Sequence, residues 1–239
     1  MKVIDAYWEK RNLGVEALEI VINDNDNLDE ITEVLKMSTE YIVVKTSSGR
    51  FDVHEKLSCS GYVYVESLIN LKIDVKDAVL NQIQSRICPL ISYDLATSQE
   101  INFIFKEIRK GVFVSDRIAT DPFFSPSLSN ERYIHWVEDE LKLGAELFKI
   151  SFKDNVIGFF TFKELNNGEF YPFLGGLLCS YNQTGLGFSV IRKPIEEVIK
   201  RNGNSISTFV SSNNLAIIRA HVQQGFNLNQ IQNIFIKHN

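Results

Sequence analysis

The chain has 239 residues, of which 44% are hydrophobic and 23% charged, and its formal net charge is −5 at pH 7. These proportions are typical of a soluble globular protein and exclude a largely disordered chain, because enough apolar surface is available to offset the entropy of ordering. The negative net charge argues against a basic nucleic-acid-binding protein. The length fits one large domain or two small ones.

The cysteines and the N-terminal residues indicate the cellular compartment in which the protein is expected. Cys59, Cys88 and Cys179 form an odd, widely spaced set without a CxxC motif, so neither a disulfide framework nor a zinc site is predicted. The first residues lack the apolar segment of a signal peptide. No run approaches the roughly 20 apolar residues that cross a bilayer. We therefore expect a cytoplasmic protein with no metal, no nucleic-acid partner and no membrane partner.

The first predicted elements follow a loop of turn-forming residues at 23–27. Ile31, Val34 and Leu35 share one face of a helix. The next predicted elements are a strand at 41–45, a helix around 53–57 that ends at Gly61, a strand over 62–73 and a linker over 74–86.

A second part begins at about residue 87. Thr97 and Glu100 have the spacing of a capping box, and apolar residues at 101, 104, 105 and 108 predict the helix that follows. The further elements are a strand at 90–95, a helix through 133–141, strands at 147–152, 156–163 and 169–179, a helix that ends near 203, a strand at 207–211, a helix at 213–224 and a strand region at 226–237. This order predicts an α/β fold with a mixed, mostly antiparallel sheet flanked by helices.

One internal repeat relates the two parts. With Ser47 placed on Ser211, both segments contain a strand, a Ser-Ser pair, a helix, a Gly-aromatic pair and a strand, without gaps. Chance similarity between two strand–helix–strand units is one interpretation. Duplication of a half-domain is the other, and we favour it because it also explains the length.

Two glycine-containing segments could bind a ligand through the backbone. The sequence NQTGLG at 182–187 lies between a strand and a helix, a place where backbone N–H groups and the helix N-terminus suit phosphate groups. It matches neither the P-loop spacing nor GxGxxG. Gly175-Gly176 predicts either a bulge that frees an N–H for a developing oxyanion or a close packing contact.

Asn214 and His221 lie seven residues apart on a predicted helix, so they share a face, and Gly225-Phe226 follows. A histidine can give or accept a proton at neutral pH. An isolated packed or solvated histidine is the simpler interpretation. The four histidines form no metal-binding pattern, and no Ser or Cys nucleophile motif is present.

Together these segments resemble the GNAT superfamily of acyl-CoA-dependent N-acyltransferases. Its signature is a Q/R-x-x-G-x-G/A loop that binds the pyrophosphate of coenzyme A, and 182–187 matches it except at Asn182. The family then has an Asn, an aromatic hydroxyl seven residues on and Gly-Phe, as at 214, 221 and 225–226. The resemblance implies a GNAT acyltransferase domain at 87–239, preceded by an N-terminal GNAT-like half domain at 1–86.

The resemblance also implies a mechanism. A primary amine attacks acetyl-CoA, the co-substrate, directly in a ternary complex. His221 protonates the departing thiolate in place of the family's Tyr, as an imidazolium. The residues implied in coenzyme binding are Leu177, Leu178, Cys179, Gln183, Thr184, Gly185, Leu186, Gly187 and Asn214.

Within the superfamily, the closer likeness is to the dTDP-fucosamine acetyltransferase group, which acetylates the amino group of a dTDP-linked dideoxy sugar. It implies substrate contacts from Phe123, Phe124 and Tyr133, although the two phenylalanines could equally fill the core between the domains. A nucleotide diphosphate would need donors such as Arg117 or Arg132. The alternatives are a GNAT enzyme that acts on another small amine or amino acid, a catalytically silent acyl-CoA-binding module and an interaction protein. A homodimer is expected only from its frequency among soluble oligomers.

Overall fold

Eleven β-strands join into one mixed sheet with helices on both faces, in a computed structural model that describes residues 1–239. The strands are β1 (Lys2–Asp5), β2 (Ala17–Ile22), β3 (Tyr41–Ser47), β4 (Val63–Asp74), β5 (Ile91–Leu95), β6 (Glu146–Phe152), β7 (Asn155–Asn166), β8 (Glu169–Tyr171), β9 (Gly175–Leu177), β10 (Ser205–Ser211) and β11 (Asn227–His238). The helices are α1 (Tyr7–Leu13), α2 (Leu28–Val34), α3 (Phe51–Cys59), α4 (Gln82–Ile87), α5 (Ser98–Ile108), α6 (Pro126–Lys142), α7 (Phe188–Lys200) and α8 (Leu215–Gln223).

The strand order is β1-β2-β3-β11-β4-β10-β8-β7-β6-β5, and β9 pairs with β7 off this path. Only the β2–β3 and β8–β10 pairs are parallel. The predicted fold class, a mixed and mostly antiparallel sheet flanked by helices, is therefore confirmed.

The two repeated units exchange their last strands in the middle of the sheet. The first unit is β3-α3-β4 and the second is β10-α8-β11. β4 lies between β10 and β11, and β11 lies between β3 and β4, with all three pairs antiparallel. The order β3-β11-β4-β10 reads the same when the units are interchanged, as expected for two copies related by a pseudo-two-fold axis.

Each half of the sheet has apolar side chains on both faces, because alternate residues of a strand point to opposite sides. In β7, Phe160 and Phe162 pack in the cluster under α7, while Phe159 packs with α5 and α6 on the other face. In the first half, α2 and α3 cover one face. The chain around α1 and Ile118 covers the opposite face.

Most predicted elements are present, and the Thr97 capping box is confirmed. Thr97 Oγ1 accepts from Glu100 N–H at 3.4 Å, and Glu100 Oε2 accepts from Thr97 N–H at 2.8 Å. Residues 1–22, to which the sequence analysis assigned no element, form β1, α1 and β2. The predicted linker at 74–86 is partly helical, and the predicted boundary between residues 86 and 87 lies inside α4.

The strand predicted at 169–179 is two strands, β8 and β9, separated by residues 172–174. Pro172 has no N–H to donate to the sheet. Thr161 Oγ1 of β7 accepts from Leu174 N–H at 2.7 Å, so a side chain replaces a backbone group in the ladder. Because of this break, β9 does not continue β8 as a single strand.

No helix has the length and hydrophobicity needed to cross a membrane. No group of three or more His, Cys, Asp or Glu side chains has an arrangement that could hold a metal ion.

Candidate active site

β9 and β10 diverge and leave an opening that we call the strand gap. β9 pairs only with β7, and β10 meets β8 only at Ser205 and Ile206. A cavity of about 150 Å³ fills the gap. Gly175, Asn214 and His221 are among the residues that line this cavity.

The edge of β9 presents backbone groups to the strand gap. Leu178 N–H donates to Ile157 O at 2.8 Å, and Leu174 O accepts from Thr161 N–H at 2.7 Å, so both residues face β7. Because backbone groups alternate in direction along a strand, the N–H and C=O of Gly175 and Leu177 face the gap. Leu178 is therefore a correction to the predicted coenzyme-binding set, because its N–H is used by Ile157 and its side chain is buried in the core.

The Gly175-Gly176 pair has a packing role. A Cβ on Gly175 would lie 2.9 Å from Val190 Cγ1 of α7, and one on Gly176 would lie 3.1 Å from Val112 Cγ1. The close-packing interpretation of this pair is therefore confirmed. The gap-facing N–H of neighbouring Leu177 remains a candidate donor to a thioester carbonyl.

The loop at 182–187 presents a set of uncommitted backbone donors. Asn182 N–H and Thr184 N–H donate to carbonyl groups of the preceding turn. The N–H groups that donate to no acceptor within the chain are those of Gln183, Gly185, Leu186, Gly187 and Phe188. Gln183 (φ 64°) and Gly185 (φ 79°) both adopt left-handed backbone conformations, which turn the chain tightly here.

Helix α7 begins directly after this loop, and no side chain caps its N-terminus. Its 13 residues add a positive dipole end to the free N–H groups, a combination that favours anions such as phosphate. Cys179 begins the short turn that leads into the loop. The chain thus runs from β9, whose Gly175 lines the strand gap, through this turn into the loop.

Helix α2 of the first half, which also follows a strand and a loop, lacks this property. Asn27 Oδ1 accepts from Asp29 N–H and Glu30 N–H, and both of these residues are acidic. Arg50 donates to the carbonyl groups of Asn23, Asp24 and Asp26 in the preceding loop. Because donors are satisfied and negative charge is already present, this loop is unsuited to phosphate.

Asn214 and His221 both line the strand gap from α8. Asn214 is the N-cap of α8, and its Oδ1 accepts from Ile217 N–H at 3.2 Å. His221 is 8% exposed, and its Nδ1 lies 2.8 Å from Ile217 O, a distance at which Nδ1–H donates to that carbonyl. Burial lowers the pKa of His221 to about 4. This corrects the predicted imidazolium, since the ring is neutral at pH 7.

A larger cavity of about 670 Å³, the central cavity, lies between the two halves of the chain. The first half lines it with α1, β4 and residues of β2 and β3, and the second half lines it with α6, β10 and the segment around β8. Trp8 and Trp136 supply large apolar surfaces to its walls. The cavity can hold a small molecule that contacts both halves.

Most charged groups of the central cavity are already paired. Glu9, which is 1% exposed, accepts from Arg117 at 2.6 Å and from Arg132 at 2.9 Å. The two guanidinium groups hold the pKa of Glu9 below its usual value although burial opposes this. Arg11 pairs with Asp139, and Lys45 pairs with Glu19. These pairs leave few free cationic donors for a diphosphate.

Two buried carboxylates of the cavity differ in their surroundings. Asp116 accepts from Ile118 N–H at 2.8 Å, from Ala119 N–H and from the Ser129 hydroxyl, so its oxygens hold the backbone of this turn. Glu66 of β4 is 4% exposed and accepts a hydrogen bond from the Ser211 hydroxyl of β10, and the backbone N–H and the charge of Arg117 also favour its ionised form. Burial raises the pKa of Glu66. Glu66 is therefore the less satisfied carboxylate.

The strand gap and the central cavity meet. The residues that line both are Asp116, Tyr133, Phe173, Leu174, Phe209 and Ser211. Burial and the nearby Asp116 raise the pKa of Tyr133, and its hydroxyl makes no hydrogen bond within the chain. A ligand in the strand gap and a ligand in the central cavity can therefore contact each other beside Tyr133 and Ser211.

Phe123 and Phe124 line neither cavity, which corrects their prediction as substrate-binding residues. Phe123 is 71% exposed and stacks on His238 with ring centroids 3.9 Å apart. Phe124 packs edge-to-face on Tyr41 at 5.4 Å. Phe124 fills the junction between the halves, which was the other interpretation of this segment, whereas Phe123 lies at the surface. Tyr133 alone of the three lies at the site.

The fold of the chain is shared with solved structures. A conserved protein of unknown function from Staphylococcus epidermidis aligns with a TM-score of 0.60 and 13% identity over 94% of this chain and 85% of that chain. A GCN5-related N-acetyltransferase from Kribbella flavida aligns with a TM-score of 0.60 and 10% identity over 93% and 81%. The chain has the GNAT fold. No protein-family model matches the chain, and no curated protein is similar to it in sequence.

A third similar GNAT structure is a glucosamine N-acetyltransferase region of a fungal multi-domain β-N-acetylglucosaminidase. Its TM-score is 0.56 and its identity 12%, over 82% of this chain and 25% of that chain. At these identities the similarity establishes the GNAT fold alone. None of these three structures is described as a dTDP-fucosamine acetyltransferase, so the finer part of the predicted resemblance has no support from them.

The sequence analysis missed most residues of the central cavity within this GNAT fold. Trp8 and Arg11 lie on α1, in a segment to which no element was assigned. Glu66 lies within the strand predicted at 62–73 but was not singled out. The available signal was its position two residues before Leu68, which places both side chains on one face of β4. Ser211 was used to align the repeat but was not recognised as a site residue.

Proposed function

We propose that the chain transfers the acetyl group of acetyl-CoA to the primary amine of a small molecule bound in the central cavity. The observation that carries the proposal is the row of uncommitted N–H groups at 183 and 185–188, at the uncapped N-terminus of α7 and beside the strand gap. In this proposal these groups bind the pyrophosphate, and the gap-facing edge of β9 binds the pantetheine arm. The GNAT fold supports the same assignment.

The chemistry requires an activated amine and a proton for the departing thiolate, but no protein nucleophile. Neutral His221, with Nδ1–H committed to Ile217 O, is poorly suited to the acid role predicted for it. Tyr133 is the better candidate because it lines both cavities and its hydroxyl makes no hydrogen bond within the chain. In this proposal the amide nitrogen of Asn214, whose oxygen caps α8, faces the coenzyme.

The acceptor is proposed as a small primary amine. A dTDP-amino sugar remains a narrower hypothesis, but the two arginines considered for its diphosphate are both engaged by buried Glu9. The glucosamine N-acetyltransferase neighbour is a reason to include glucosamine among the test acceptors. The cytoplasmic location and the homodimer stay predictions of the sequence.

Thr184→Glu and Thr184→Gln test the coenzyme site. Both remove the hydroxyl that donates to Tyr181 O at 2.6 Å, and only the first adds a negative charge beside the proposed pyrophosphate. We expect calorimetry to show acetyl-CoA bound ~10-fold or more weakly by Thr184→Glu, with Thr184→Gln close to wild type.

Wild-type protein that does not bind acetyl-CoA would contradict the proposal. Binding without acetylation of spermidine, L-lysine, glucosamine or 2-phenylethylamine would instead favour a catalytically silent acyl-CoA-binding module.

A further inference from the structure

Glu66 is a buried carboxylate of the first half that lines the central cavity, and the role assigned to it below rests on the proposed function. β4 carries Glu66 into the middle of the sheet because β4 is the exchanged strand between β10 and β11. The register pairs Leu68 with Ser211, so Glu66, two residues away on the same face, lies beside the end of β10. The exchange thus places Glu66 in the wall of the central cavity, against Ser211, which lines both cavities.

The surroundings of Glu66 favour proton acceptance over a structural role. Unlike Glu9 and Glu19, Glu66 forms no ion pair, and the Ser211 hydroxyl is its hydrogen-bond donor among the side chains. It is 4% exposed and lines the central cavity. A buried carboxylate without an ion-pair partner lowers the stability of the protein. The cationic group of a bound ligand would supply that partner.

We propose that Glu66 is the general base that receives a proton from the ammonium group of the acceptor, so that the first half completes the reaction centre of the second. The amine enters protonated, and Glu66 accepts one N–H proton and frees the nitrogen lone pair. This pair forms the C–N bond at the thioester carbonyl carbon. The C–S bond then breaks, and its electron pair leaves with the coenzyme A thiolate.

The proton balance of this step is complete. The nitrogen loses a second proton, and the thiolate takes up one proton. This proton passes directly from nitrogen to the thiolate, or Tyr133 donates to the thiolate and takes the proton from nitrogen. The proton on Glu66 returns to solvent when the products leave. The net change is one amide, one thiol and one released proton from one ammonium group and one thioester. Ser211 orients the carboxylate through its hydroxyl.

A matched pair of acceptors tests this role. 2-Phenylethylamine is protonated at neutral pH, whereas O-benzylhydroxylamine, in which oxygen replaces the CH₂ next to the nitrogen, is neutral and needs no base. We expect Glu66→Gln to lower kcat for 2-phenylethylamine by ~10²–10⁴-fold and kcat for O-benzylhydroxylamine by less than ~10-fold. Asp74→Asn, an exposed charge at the far end of β4, is the control and should behave as wild type.

The outcomes separate the two proposals. Equal loss of kcat with both acceptors, or a raised KM with unchanged kcat, would overturn the base role and leave the acetyltransferase proposal standing. Wild-type protein that acetylates neither acceptor nor any other amine of the panel would overturn the proposed function and this inference with it. Retained acetyl-CoA binding by Glu66→Gln shows that the variant is folded.

Discussion

The His221 imidazole is uncharged at neutral pH because burial lowers its pKa, and the hydrogen bond from Nδ1–H to Ile217 O opposes this effect only in part. Below its ordinary pKa of 6.5, the unfolded chain binds a proton that the folded chain does not. The free energy of unfolding therefore falls progressively as the pH falls below 6.5. Above pH 6.5, His221 does not change the free energy of unfolding with pH.

We expect the free energy of unfolding to fall by up to ~3 kcal/mol between pH 6.5 and pH 4 on account of His221. His221→Gln should remove most of this slope, whereas His54→Gln, a change in the first half, should keep it. Urea unfolding at a series of pH values measures the effect. Parallel pH curves for wild type and His221→Gln would show that the ring is accessible and can be protonated in the folded state.

At the scale of elements, the strand gap depends on close contact between β7 and β9. Gly158 of β7 pairs with Leu177 of β9, and a Cβ on Gly158 would lie 2.6 Å from Gly176 O. A backbone atom cannot yield as a side chain can, so any larger residue must push β9 away from β7. The same strand carries the backbone edge that faces the gap.

We expect Gly158→Ala to lower the free energy of unfolding by ~1–3 kcal/mol and to weaken acetyl-CoA binding. Gly49→Ala is the matched control, because a Cβ there meets no atom within 4 Å. Thermal unfolding and calorimetry of both variants provide the measurements. Unchanged stability and unchanged acetyl-CoA binding in Gly158→Ala would mean that β9 can shift without cost.

At the scale of the whole molecule, the exchanged strands tie the halves together. β4 pairs with β10 from Ser205 to Ser211 and with β11 along most of its length. The ion pairs of Glu9 on α1 with Arg117 and Arg132 add a buried link between the halves. Division of the chain at residue 86 would remove a central strand from the second half rather than separate two closed sheets.

We expect residues 87–239 alone to be insoluble or to unfold without cooperativity, because β10 and β11 would expose unpaired edges. Co-expression with residues 1–86 should recover soluble protein. Gel filtration and circular dichroism distinguish the outcomes. A soluble fragment 87–239 with cooperative unfolding would show instead that the predicted domain boundary is also a folding boundary.

The sequence by itself determined the fold class, most elements after residue 23 and the glycine-containing loop at 182–187 that precedes α7. These features depend on local patterns: apolar periodicity, the Thr97 capping box and glycines where the backbone must turn. The repeat centred on Ser47 and Ser211 also indicated two related units.

The tertiary structure alone decided how the units combine and which residues meet. The position of β4 between β10 and β11 is a long-range pairing with no local signal, and it brings Glu66 to Ser211, 145 residues away. The neutral state of His221 and the pairing of Arg117 with Glu9 depend on burial and on distant partners. Ionisation and contact at the site are therefore properties of the assembled sheet, which local sequence patterns do not encode.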